Sequence, residues 1–133
     1  MKIKTKRFAS TTIFAALTAA ILTTSVLAVT VPVGDGSGYI NVYSSSGYAE
    51  TNAPGMCSCS DASNSPTVSV SISCLQNNGQ SKSDGKTNTG RNYTTAWVSV
   101  SPESNQNFLS GSASFSYYRC NIHCGSNSAT DNA

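Results

Sequence analysis

Apolar and polar residues alternate along several stretches of this chain, and the clearest example runs from Thr67 to Leu75. Its apolar residues fall on one face and its serines on the other; the apolar set is Val68, Val70, Ile72 and Cys74. Side chains that alternate with a period of two residues are typical of a β-strand, and a face lined by polar residues indicates that this side of the strand meets water. This stretch therefore predicts a half-buried strand.

The same alternation recurs at 93–101 and at 112–119, and a shorter version covers 39–43. Residues 29–33 predict a further strand, which Pro32 places at a sheet edge because proline cannot donate a backbone hydrogen bond. The inward positions predicted for the two longer stretches are Ala96, Val98, Val100, Ala113, Phe115 and Tyr117.

Turn residues separate these strands. Asn77-Asn78-Gly79 predicts a hairpin, residues 80–92 form either a short exposed strand or a loop, and 102–107 predict another turn. Residues 44–66 contain two prolines and few large apolar groups, which predicts a long loop held by cysteines. Short strands between regular turns are typical of an antiparallel sandwich or small barrel. We predict an all-β fold, a small antiparallel β-sandwich, with 29–133 as a single domain.

The first 28 residues have the pattern of a cleaved signal peptide. A basic start with three lysines and Arg7 precedes an uncharged, largely apolar stretch, and Val26-Leu27-Ala28 has small side chains where a signal peptidase reads. The alternative is a membrane anchor, since the stretch is long enough to span a bilayer. We predict cleavage after Ala28 and a secreted, extracellular protein with no stable membrane anchor.

Removing the signal peptide reverses the charge. Four of the eight basic residues lie in the signal peptide. The mature chain keeps the other four basic residues and all six acidic residues, so its net charge is −2. Nucleic-acid binding requires clustered lysine and arginine. The composition therefore argues against a nucleic-acid partner.

Five cysteines in an exported chain indicate disulfides. A Cys-x-Cys pair rarely bridges to itself, so Cys57 and Cys59 are predicted to pair with Cys120 and Cys124, in either of two connectivities. Cys74 lies on the apolar face of its strand and would then be a buried free thiol. The alternatives are a Cys74–Cys120 bridge and a zinc site built from these cysteines and the adjacent histidine.

No catalytic pattern is present. His123 is the only histidine, and it lies between two cysteines, while the carboxylates are scattered. A Cys–His nucleophile needs a third, orienting group, and a glycosidase needs two carboxylates across a cleft. We predict a non-enzymatic protein with no catalytic residues, no metal and no cofactor.

Tyr93 and Trp97 are the candidate ligand-binding residues. If Val98 and Val100 face the core, these two rings project outward, about 13–14 Å apart along the strand. Exposed aromatic rings at that spacing suit alternate sugars of a glycan or a protein contact. In the alternative interpretation a second sheet covers this face and Trp97 belongs to the core.

The order of segments resembles the lactococcin 972 family of secreted Gram-positive bacteriocins. The resemblance rests on Gly38-Tyr39, Tyr43-Ser-Ser-Ser-Gly-Tyr48, the strand at 67–73, Asn77-Asn78-Gly79, the polar loop to Gly90, the Trp97 strand and Ala113-Ser-Phe-Ser-Tyr-Tyr118. It implies a sandwich of two antiparallel sheets, binding to a cell-wall precursor and inhibition of septum formation without enzymatic chemistry. The chain departs from the family in its cysteines and in its extension beyond 118.

These observations predict a secreted, non-enzymatic, bacteriocin-like protein that binds at the cell envelope of other Gram-positive bacteria. The alternative is a secreted glycan-binding or surface-interaction module. In both cases the partner is an envelope component or glycan of another cell. A small extracellular enzyme is a third hypothesis, and it would require a pocket that gathers the scattered carboxylates.

Overall fold

A computed structural model describes residues 27–54, 65–90 and 93–133. This part of the chain forms eight strands: β1 (Val29–Val33), β2 (Gly36–Tyr43), β3 (Ser46–Ala53), β4 (Thr67–Gln76), β5 (Ser81–Thr89), β6 (Thr94–Val100), β7 (Phe108–Arg119) and β8 (Ile122–Asn132). The predicted signal peptide lies outside the described residues except for its last two positions.

The strands form two antiparallel sheets of four. The first has the order β1-β2-β3-β6 and the second the order β5-β4-β7-β8. The all-β class predicted from the alternation is confirmed, and β1 is an edge strand, as Pro32 predicted. No helix in the described residues is long and apolar enough to cross a membrane.

The two sheets pack face to face around one core, in the manner of a β-sandwich. Every inward position predicted for β4, β6 and β7 is buried. The core residues are Val33, Ile40, Val42, Ala49, Ala53, Val68, Val70, Ile72, Cys74, Ala96, Val98, Val100, Phe108, Ala113, Phe115, Tyr117 and Ala129. Cys74 is a buried free thiol, as predicted.

The prediction of a long loop over 44–66 was wrong for its first part, because β3 occupies Ser46–Ala53. The inward residues of this strand are Gly47, Ala49, Thr51 and Ala53. They are small or polar, so the hydrophobic alternation that marks the other strands is absent. Thr51 is nevertheless fully buried, since its hydroxyl donates to the Ser69 carbonyl of β4 across the sandwich at 3.0 Å.

The last strand, β8, was also not predicted. It pairs with β7 along its whole length, yet its buried positions in the second half are only Ala129 and Asp131. The Asp131 carboxylate accepts a hydrogen bond from the Val42 amide of the opposite sheet at 2.8 Å. The pairing of β2 with β1 ends at Ile40, two residues before Val42. On that side no strand reaches the Val42 amide, and the Asp131 carboxylate supplies the missing acceptor.

The hairpin predicted at Asn77-Asn78-Gly79 is confirmed, with Gly79 in the left-handed region at φ +82°. The following segment is an exposed strand, β5, which was one of the two alternatives. Its side chains reach the neighbouring sheet: Asn88 donates to the Thr95 carbonyl of β6 at 2.9 Å. This polar strand therefore closes one side of the sandwich.

The two sheets approach each other closely at glycines, where there is no side chain to hold them apart. A Cβ at Gly38 of β2 would lie 2.4 Å from the Phe115 ring of β7. A Cβ at Gly47 or Gly111 would lie 2.4 or 2.8 Å from the Cys74 sulfur. Phe115 and Cys74 therefore occupy volume that depends on these glycines.

Candidate binding surface

The outward face of the first sheet carries a group of aromatic side chains. Tyr39 of β2 lies opposite Glu50 of β3, and Glu50 lies opposite Trp97 of β6, so these three residues form one row across the sheet. Tyr48 lies two residues before Glu50 on the same face of β3. The alternation that buries the neighbouring positions is what turns these side chains toward solvent.

Three rings and one cation form a continuous row, which we call the aromatic row. The ammonium of Lys86 lies 5.2 Å from the centre of the Trp97 ring. Trp97 lies near parallel to Tyr48 with centroids 6.3 Å apart, and Tyr48 meets Tyr39 edge to face at 6.0 Å. Four strands, β5, β6, β3 and β2, each supply one member.

Trp97 and Tyr93 both project from this face, as predicted. Trp97 is 51% exposed and Tyr93 is 62% exposed. The interpretation that placed Trp97 in the core is therefore wrong, because the second sheet packs on the opposite side of β6. Tyr93 directly precedes β6, and its hydroxyl donates to the Asn52 side-chain oxygen at 2.8 Å.

A hydrogen-bond network underlies the rings. One carboxylate oxygen of Glu50 accepts from the Tyr48 hydroxyl, and the other accepts from the Asn52 amide at 2.7 Å. The Asn52 oxygen in turn accepts from Tyr93 and from the Thr95 hydroxyl at 2.7 Å. The network fixes the side chains of the face before any ligand arrives.

The pKa of Tyr48 is raised to about 12. Burial is the largest cause, followed by the hydrogen bond to Glu50 and the negative charge of that carboxylate, with a smaller effect of Tyr39. Each of these disfavours the phenolate. Tyr48 therefore stays a neutral hydrogen-bond donor throughout the physiological range.

Asn41 extends the network beyond the aromatic row. Its amide nitrogen donates to the hydroxyls of Tyr39 at 3.2 Å and Tyr43 at 2.9 Å. Its side-chain oxygen is buried and has no hydrogen-bond partner. The tyrosine hydroxyls are thus oriented as donors at the margin of the face.

The outward face of the second sheet differs in chemistry. It carries rows of serine and threonine hydroxyls, several paired across strands, such as Ser69 with Thr87 at 2.8 Å. A depression of about 750 Å³ lies here, and most of its lining is Ser, Thr and Gly. No exposed aromatic ring is among the residues that line this depression, so we place the candidate binding surface on the first sheet.

Sequence reasoning identified Tyr93 and Trp97 but missed Tyr39, Tyr48, Glu50 and Lys86. The signal that could have found Tyr39 is the alternation over 39–43, which puts it on the face opposite Ile40 and Val42. Tyr48 and Glu50 were assigned to a loop, and Lys86 reaches Trp97 only because β5 lies beside β6. No pattern in the sequence gives that proximity.

Of the predicted disulfide cysteines, Cys57 and Cys59 lie outside the described residues. Cys120 forms part of the turn between β7 and β8, and Cys124 is the third residue of β8. Among the described residues, no three His, Cys, Asp or Glu side chains are grouped closely enough to hold a metal ion. The zinc alternative depends on Cys57 and Cys59.

Comparisons with protein-family models, with curated proteins and with solved structures give no match to this chain. The resemblance to the lactococcin 972 family stays a hypothesis drawn from the sequence.

Proposed function

We propose that this chain is a secreted, non-enzymatic protein that binds a glycan of the cell envelope through the aromatic row. The observation that supports the proposal is the half-exposed Trp97 ring, aligned with Tyr48 and Tyr39 above a prearranged polar network. Aromatic rings supply large apolar contact area at low entropic cost, and Tyr and Trp also keep a polar group for hydrogen bonding.

The polar groups around the row suit sugar hydroxyls. Tyrosine hydroxyls, the Asn52 amide and the Glu50 carboxylate all lie within or beside it, and they include both donors and acceptors. Lys86 adds a cation above Trp97, and its long exposed side chain can move aside for a sugar ring or pair with an acidic substituent. A hydroxyl-rich ligand with apolar ring faces matches this combination better than a purely apolar one.

Binding without hydrolysis is supported by the carboxylate geometry. Glu50 is the carboxylate of this face in the described part of the chain, and both its oxygens accept hydrogen bonds from neighbouring side chains. Glycoside hydrolysis ordinarily uses two carboxyl groups placed on either side of the bond. A single, internally hydrogen-bonded carboxylate fits a positioning role.

Trp97 is the only tryptophan in the chain, so its fluorescence reports directly on this surface. Titration with soluble peptidoglycan fragments and chitin oligosaccharides should change its emission in a saturable way. Calorimetry with Trp97→Ala and Tyr48→Ala should show affinity losses of about 30-fold or more, as for a binding hot spot.

Leu109→Ala is the matched control. Leu109 of β7 is exposed to the same fraction as Trp97, 51%, but lies on the other sheet. Its variant should bind as the parent does. Unchanged binding by Trp97→Ala, with the fold intact, would refute the proposed surface, and no binding of any wall glycan would refute the proposed function.

We further propose that binding at the envelope of other Gram-positive bacteria makes the protein bacteriocin-like. The two-sheet architecture is the one that the sequence resemblance implies, and this agreement supports the proposal. The purified protein should inhibit growth of related Gram-positive strains, and Trp97→Ala should not. Glycan binding without inhibition on a broad panel would leave a glycan-binding module as the function.

Secretion is supported at the proposed cleavage site. Leu27 is 79% exposed and β1 begins at Val29, directly after Ala28. The bond after Ala28 therefore lies at the surface, immediately before the first strand. Amino-terminal sequencing of the protein from culture medium should begin at Val29; retention of the first 28 residues in the cell membrane would favour an anchor.

We propose disulfides between Cys57 and Cys59 on one side and Cys120 and Cys124 on the other. Neither Cys120 nor Cys124 is a free thiol. Ser65, which precedes β4, lines one small cavity with Cys120, so residue 65 itself lies close to this turn. Peptide mapping without reduction should recover cross-linked peptides from these two regions, and a peptide with Cys120 bound to Cys124 would contradict the pairing.

A further inference from the structure

A second polar site lies at the end of the other sheet, where β7 turns into β8. A cavity of about 280 Å³ opens between the ends of β4, β5 and β7. Its lining residues are Ser65, Thr67, Thr89, Tyr118, Arg119, Cys120 and Asn121. Four of them carry hydroxyls and one carries a guanidinium.

The Nε–H group of Arg119 lacks an acceptor. Its Nε atom is buried and has no hydrogen-bond partner, and the ion pair among the described residues joins Lys82 to Glu103 instead. Arginine is charged at every accessible pH and carries only donors. A buried donor on a permanent cation is unfavourable unless an acceptor reaches it.

The described residues that line the cavity around Arg119 supply further donors and no negative charge. No aspartate or glutamate is among the lining residues. Thr67 and Thr89 share one hydrogen bond at 2.8 Å, which uses one hydroxyl proton and leaves the other available. The Tyr118 and Ser65 hydroxyls add two more, so the cavity is rich in donors around one cation.

We propose that this cavity binds a phosphate group, as the free ion or as a phosphate ester. The planar guanidinium matches two oxygens of an oxyanion, and hydroxyls from several strands can reach the others. A tetrahedral anion uses donors on several sides better than a planar carboxylate, which has two oxygens. The cavity also leaves room for the group to which an esterified phosphate is attached. The site is independent of the aromatic row.

Nitrogen–proton correlation NMR of the purified oxidised protein tests the proposal, with the arginine Nε–H region included. Inorganic phosphate and glycerol phosphate are titrated separately against sodium chloride of equal ionic strength. We expect saturable shifts, centred on the Arg119 Nε–H and on the amides of Thr67, Thr89 and Asn121. Saturation with either compound supports the site and identifies the source of the phosphate.

Arg119→Gln should weaken phosphate binding by about tenfold or more, because the charge-assisted bonds are lost. Lys82→Gln is the matched control, since it removes one cation at an exposed ion pair and should leave the affinity unchanged. If Arg119→Gln fails to fold, Arg119→Lys is the second variant. It keeps the positive charge but lacks the paired N–H donors of the guanidinium, so it should still bind phosphate more weakly than the parent.

Three results would overturn the proposal. The first is a set of shifts that never saturate and match those in chloride. The second is equal affinity in the parent and the Arg119 variants, and the third is acetate binding as tightly as phosphate.

Discussion

The buried thiol of Cys74 makes the stability of the core depend on pH in a way that can be calculated. Its side chain is fully buried in β4, between the two sheets, and burial raises its pKa from an ordinary value of 9.0 to about 11. The cause is desolvation, which disfavours the thiolate.

The sign follows from which state holds the proton more tightly. The folded chain keeps the Cys74 proton up to a higher pH than the unfolded chain, so its contribution to stability is complete below pH 9. It is lost as the pH rises from 9 to 11. A difference of two pKa units corresponds to about 2–3 kcal/mol of unfolding free energy.

Urea unfolding of the parent and of Cys74→Ala at neutral pH, pH 9 and pH 11 measures this contribution. The variant starts lower because it leaves a cavity, but it has no thiol to ionise. The parent should lose about 2–3 kcal/mol more than the variant across the window. Rapid mixing keeps the time at high pH short, so that the exposed thiol does not exchange with the disulfides that we propose.

Parallel pH curves for the two proteins would refute the reasoning. Fast labelling of Cys74 by a maleimide in the native state at neutral pH would do the same, since a buried protonated thiol should react only after the chain opens.

Three further predictions address the surface and the contacts between sheets. Tyr48→Phe should remove from an absorbance titration a tyrosine that ionises near pH 12. In the parent only, the stability due to the raised pKa of Tyr48, which is fully present below the ordinary value of 10, should fade as the pH approaches about 12. Asp131→Ala leaves the Val42 amide unsatisfied and should cost about 1–3 kcal/mol in urea unfolding, whereas Asp131→Asn keeps an acceptor and should recover part of the loss; equal losses would argue against the hydrogen bond. Gly38→Ala places a Cβ 2.4 Å from the Phe115 ring and should lower stability by about 1–3 kcal/mol, and a variant as stable as the parent in thermal melts would show that the ring can shift freely.

The part of the fold that the sequence predicts is the part built on large inward side chains. Val68, Val70 and Ile72 in β4 and Phe115 in β7 have few alternatives to burial, so their alternation determines both the strand and its phase. In β3 and β8 the inward positions are small or polar, so hydrophobic alternation cannot reveal these strands. Thr51 is an example, since it is buried through a hydrogen bond rather than through apolar area.

The candidate surface could likewise be predicted only in part. Once Val98 and Val100 are assigned inward, the outward direction of Trp97 follows from the period of two. Its neighbours do not follow, because they depend on β3 lying between β2 and β6. They also depend on β5, the edge strand of the other sheet, lying beside β6. Strand order is a property of the whole chain, and local alternation carries no information about it.

The same strand order has a consequence for the time course of folding. The aromatic row joins Tyr48, Lys86 and Trp97, which are distant in sequence, and the pairing of β3 with β6 must enclose the whole β4–β5 hairpin. Non-local pairing of this kind carries a high loop-closure cost and slows folding. We therefore expect the surface to assemble in one of the last events of folding. A chain that is still folding would then lack the row. For the exported protein that we propose, ligand recognition would be delayed until the molecule is outside the cell that made it.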